Sequence, residues 1–113
     1  MLRSPKTNQR AERRLAFHVD GTGTASIVKG SGLATLTDTD TGDYLLTFTR
    51  PFTRAPIGLL SVITAAKTGR LVLTTTTAQI LTFNQADGTT ASDADFYVEI
   101  IGWDIAEEYS ERD

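Results

Sequence analysis

At 113 residues and 40% hydrophobic content, the chain is sized for one domain, and the absence of cysteine excludes a disulfide framework or a thiolate zinc site. No apolar run approaches the roughly 18 residues of a membrane span, and the polar opening at residues 1–6 lacks the apolar stretch of a secretory signal. The net charge of −3 hides an asymmetry: residues 1–14 set five basic side chains against one acidic for +4, and residues 104–113 set five acidic against one basic for −4.

Along the chain, residues 1–14 lack period-2 patterning and read as an extended basic arm. A first strand is expected at 15–19, closed by Asp20-Gly21-Thr22-Gly23. Segments 24–29 and 33–37 then read as a strand pair around Gly30-Ser31-Gly32, where a tight turn or bulge fits. After the polar turn Asp38-Thr39-Asp40-Thr41-Gly42-Asp43, residues 44–49 alternate strictly, with Tyr44, Leu46 and Phe48 on one face. A corner punctuated by Pro51 and Pro56 leads to 57–65, whose near-continuous apolar run predicts burial on both faces. Lys67-Thr68-Gly69-Arg70 is expected to turn the chain into Leu71-Val72-Leu73 and a threonine run, followed by a strand at 79–84. The last strand, 96–104, sets Phe96, Val98 and Ile100 against Tyr97, Glu99, Ile101 and Trp103, and an acidic tail occupies 105–113.

Threonine is abundant, and its branched Cβ packs well on a pleated surface. Short strands between Gly, Asp and Pro turns predict an all-β fold: one antiparallel, jelly-roll-like β-sandwich of seven or eight strands over residues 15–104.

Chemistry is harder to find. His18 is the only histidine and sits on an apolar strand, where packing is its ordinary use. No serine lies in a Gly-x-Ser-x-Gly setting, so a nucleophilic hydrolase has no support and the reading is not an enzyme. The Asp38–Asp43 run offers carboxylates for calcium, with Asp93 and Asp95 as further donors if the loops meet; yet Gly and a bidentate Glu are missing from the EF-hand positions. Asp and Gly also build turns without any metal. Lys67-Thr68-Gly69-Arg70 lacks the glycine spacing of a phosphate loop, so no cofactor is implied.

The basic residues Arg3, Lys6, Arg10, Arg13 and Arg14 have no interleaved aromatics, which favours a protein contact over nucleic acid. Phe17 joins them as a candidate contact to a partner protein or a second subunit. Tyr97 and Trp103 share one strand face and are candidates for a partner surface or a glycan platform, with Tyr44 as a further aromatic.

One stretch carries a family resemblance. Gly42-Asp43-Tyr44-Leu45-Leu46-Thr47-Phe48, followed by Arg50-Pro51-Phe52 and Ala55-Pro56, resembles a pattern in small virion domains of tailed bacteriophages. There, a Gly-x-Tyr-x-x-x-Phe strand precedes a Pro-Phe corner and a second Pro that opens the next strand. The closing Phe96-Tyr97-Val98-Glu99-Ile100-Ile101-Gly102-Trp103-Asp104 resembles their last strand, which ends near Gly-x-Asp. The resemblance spans residues 23–104 and transfers no catalytic residue.

It implies a capsid decoration protein, a head-fibre subunit or a tail-fibre knob, commonly a homotrimer. The expected partners are a second copy of the chain and the major capsid protein or another virion protein. Nucleic acid and membrane are not expected partners, and the expected location is the capsid exterior after synthesis in the host cytoplasm. A start at Met1 without a collagen-like or coiled-coil shaft suits a stand-alone capsid attachment. A carbohydrate-binding module, or a knob that recognises host-surface glycan, is the alternative.

Overall fold

A computed structural model describes residues 10–30 and 32–105. Eight strands fill it: β1 (Arg10–Asp20), β2 (Ser26–Lys29), β3 (Ala34–Asp40), β4 (Asp43–Phe48), β5 (Ile57–Val62), β6 (Lys67–Leu73), β7 (Thr77–Asn84) and β8 (Phe96–Ile105). They form two four-stranded antiparallel sheets, ordered β2-β1-β8-β5 and β3-β4-β7-β6. The molecule is a β-sandwich, with hairpins β1–β2, β3–β4 and β6–β7 inside sheets and the remaining connections crossing between them.

Alternation determines what lies between the sheets. Leu15, Phe17 and Val19 of β1 and Phe96, Val98 and Ile100 of β8 point inward from the first sheet. Tyr44, Leu46 and Phe48 of β4 and Ala78, Ile80 and Thr82 of β7 meet them from the second. Burying a side chain of this size stabilises by about 1.5–3 kcal/mol, so these four central strands supply most of the driving force. The edge strands β5 and β6 add no fully buried residue; Leu60, Leu71 and Leu73 pack on the core only in part.

The sandwich departs from the sequence reading in four places. β1 begins at Arg10 rather than at residue 15, because its ladder with β8 runs unbroken from Val19↔Phe96 out to Arg10↔Ile105. Charged side chains hid this extension, since Glu12 and Arg14 alternate onto the solvent face and only Arg13 turns inward. The body therefore spans residues 10–105, and the rest of the basic arm, like the acidic tail beyond 105, lies outside the described residues.

Second, β2 and β3 do not pair. The turn closed by the Leu33 N–H on the Gly30 carbonyl, 3.1 Å, carries the chain from one sheet to the other. Third, Lys67-Thr68-Gly69-Arg70 is strand, not turn. Lys67 donates to Asn84 Oδ1 at 2.6 Å and to Ser92 Oγ at 2.7 Å, while the chain reverses earlier, where Ala66 adopts φ +64°. Fourth, β5 is not buried on both faces: it is an edge strand with one face in solvent.

Candidate functional site

The residues singled out from the sequence are spread along the β1–β8 ladder and over both of its faces. Phe17 is fully buried opposite Val98, so it is core and is unavailable to a capsid or subunit. An inward position on a central strand leaves no route for its ring to the surface.

Arg13 is also engaged within the chain. Its guanidinium lies 4.0 Å from the centre of the Phe52 ring, and its Nη atoms donate to the carbonyls of Arg50 and Pro51, each at 2.8 Å. Asp104 completes the arrangement, 3.2 Å from Arg13 Nε and 2.6 Å from Arg50 Nη2. Burial works against the Asp104 carboxylate, but the hydrogen bond from Arg50 and the charge of Arg13 outweigh it and hold the pKa below the ordinary 3.8.

This cluster plugs one end of the sandwich. Phe52 swings in from the corner, its N–H held by the Thr75 carbonyl at 2.8 Å and its ring set edge-on to Phe48 at 5.3 Å. The ring rests on Gly102, where any Cβ would overlap it. Gly102 and Asp104 of the last strand, Pro51 and Phe52 of the corner and Phe48 of β4 are thus one packing unit.

Arg14 faces solvent between two carboxylates, donating to Glu12 at 2.8 Å and Glu99 at 3.1 Å. These bonds, Glu12 first, raise its pKa above the ordinary arginine value, so its charge is committed to the two carboxylates. Arg10 lies in β1, opposite Ile105, while Arg3 and Lys6 are outside the described residues.

At the other end, the Tyr44 hydroxyl ties three loops together. It lies 3.0 Å from the Gly21 carbonyl and 3.1 Å from Asp93 Oδ1, and it accepts the Ala94 N–H at 3.3 Å. Burial pushes its pKa up to about 12. Asp93 also accepts the Gly42 N–H at 2.8 Å, and Gly42, at φ +64°, turns β3 into β4 in a backbone conformation that suits glycine.

Of the carboxylates considered for calcium, Asp40, Asp43, Asp93 and Asp95 have structural partners here. Asp40 caps Thr41 N at 2.7 Å, and Asp43 accepts from Gln79 at 3.0 Å. Asp95 accepts Gly21 N–H at 3.2 Å; burial raises its pKa, with neighbouring Asp20 adding to the effect. Among the described residues no group of three or more His, Cys, Asp or Glu is placed to hold a metal ion.

Tyr97 and Trp103 do share the outer face of β8, with His18 opposite Tyr97 and Glu12 opposite Trp103. Six residues of strand separate them, about 20 Å, so the two rings do not converge on one sugar. Across from Tyr97 on β5 is exposed Ser61, with Leu59 and Ile63 on either side of that position along the chain; Ile57, farther along β5, is exposed too, opposite half-buried Ile101. Sequence periodicity hid this surface because the inner positions of β5 are apolar too, so no alternation marks which face is wet. The usable signal was composition: Ile57–Val62 contains no charged residue.

Compared with family models, with curated proteins and with solved structures, the chain matches none of them.

Proposed function

We propose that this chain is a structural subunit of a tailed-bacteriophage virion, a decoration or head-fibre protein that attaches to the capsid exterior as a homotrimer. There it stabilises the shell or displays a binding surface. The observation that carries this reading is that the residues of the resemblance form connected framework units. Tyr44 secures the loops at one end, while Phe48, Pro51, Phe52, Gly102 and Asp104 close the other. That its members hold one another in place supports reading the pattern as one architectural unit.

Attachment falls to the basic N-terminal segment, Arg3, Lys6 and Arg10, because Arg13 and Arg14 already donate within the chain. Weak charge contacts repeated over a shell add up through multivalency.

The test is co-sedimentation with phage capsids of the full chain and of a chain lacking residues 1–9, which keeps β1 whole. The full chain is expected to pellet with capsids at low salt and to be released as salt rises, and the truncated chain to stay in solution. Salt-indifferent binding by both would remove the anchor from this reading.

A further inference from the structure

We infer that the outer face of β5, with the adjoining outer face of β8, is where a second copy of this chain docks; this deepens the reading of the protein as a subunit of a homo-oligomer. The argument begins with the two open edges of the sandwich. At one edge, β2 is only four residues long and ends in Lys29, while β3 carries Asp38 and Asp40. Short strands and charges are the usual protection against edge-to-edge association. At the opposite edge β6 carries Lys67 and Arg70, but β5 has neither a charged residue nor a proline between Ile57 and Val62, and among the described residues no strand pairs with its free side. An edge this apolar is a liability for a chain that stays alone, and an asset for one that is covered.

Area points the same way. Ile57 is 59% exposed, Leu59 66%, Ile63 53% and Tyr97 42%. Together these side chains present on the order of 400 Å² of largely apolar surface, the size of the largest patch on a typical single domain, which is often functional. A standard interface covers about 800 Å² per partner, of which a little over half, about 450 Å², is apolar. The patch is therefore the right size for the apolar part of one interface.

Charge selects the occupant. The charged group within the patch, Glu99 opposite Leu59, is tied back toward β1 by Arg14, 3.1 Å away, a cation it shares with Glu12. β5 itself contributes no charge, so its outer face suits an apolar partner surface, and a second copy of the chain carries one. In an assembly of identical subunits the commonest neighbour is another copy.

The experiment is light scattering across a concentration series on the full chain, on Leu59→Lys and on Val28→Lys. Val28 is a matched control, 53% exposed on β2 at the guarded edge. Both positions are surface-exposed, so circular dichroism and melting curves should show all three proteins folded alike. The wild type and Val28→Lys are expected to be oligomeric, and Leu59→Lys to associate at least about 30-fold more weakly, the scale of a central interface residue. An oligomeric Leu59→Lys of unchanged affinity would overturn this surface while leaving the subunit reading intact. A wild type that stays monomeric at every concentration would overturn self-docking altogether, and capsid co-sedimentation would then judge the virion reading separately.

Discussion

Replacing Tyr44 with Phe removes one oxygen atom and nothing else, which makes it a clean probe of how the loop end is held. The ring can stay in place, 5.2 Å from Phe96 in the core, so no cavity term is expected. What is lost is the acceptor for the Ala94 N–H and the donor to the Gly21 carbonyl or Asp93. A buried donor left without a partner costs about 1–3 kcal/mol, and a middle value of about 2 kcal/mol is taken here. With an unfolding entropy near 2.1 cal/mol/K per residue, about 0.24 kcal/mol/K for a chain this long, that loss lowers the melting temperature by about 8 °C. The assay is thermal and urea unfolding of both proteins at the same concentration, because an oligomer melts in a concentration-dependent way. With the hydroxyl pKa pushed up to about 12, it stays protonated from pH 5 to 9, and the difference should not change over that range. A loss below about 0.5 kcal/mol would mean that the hydroxyl does not organise these loops.

Phe52→Ala should cost about 3–5 kcal/mol in the same unfolding assays, since it empties the plug between Arg13, Phe48 and Gly102; a cost under 1 kcal/mol would show the corner to be a surface loop. Asp104→Asn should cost about 1–2 kcal/mol at neutral pH through its lost charge-assisted bonds to Arg13 and Arg50. Because the folded pKa of Asp104 lies below 3.8, its contribution is complete above that pH and disappears as pH falls through the folded value. The gap between wild type and variant should therefore close in acid, and a gap that widens there would reverse the assignment.

How much of this was legible in the sequence depended on whether a strand had one wet face. β4 and β8 alternate cleanly, and Tyr44, Leu46, Phe48, Phe96, Val98 and Ile100 are buried as their spacing required. In β1 the alternation continues through Glu12 and Arg14, but charges on the solvent face and an Arg turned inward concealed it. Arg13 belongs to the body because its stem and guanidinium cover Phe52, a partner 39 positions away that no local window reveals. The same limit applies to β5: its apolar run looked doubly buried, and only the sheet order makes it an edge. Phe17 lies next to the basic segment in sequence and suggests an apolar contact there, whereas the pleat turns it into the core. Of the candidate site, the aromatic at Tyr97 was visible in advance; that exposed Leu59 and Ile57 share its sheet face was a property of the β5–β8 pairing.

The central claim, that this chain is a component of a phage virion, is tested most directly by immunogold microscopy of purified particles, using antibody raised against the folded protein. The account predicts gold distributed over the capsid exterior, several copies per particle, and absent from particles that lack the gene. Clean particles without label, while the protein accumulates free in the lysate, would contradict it.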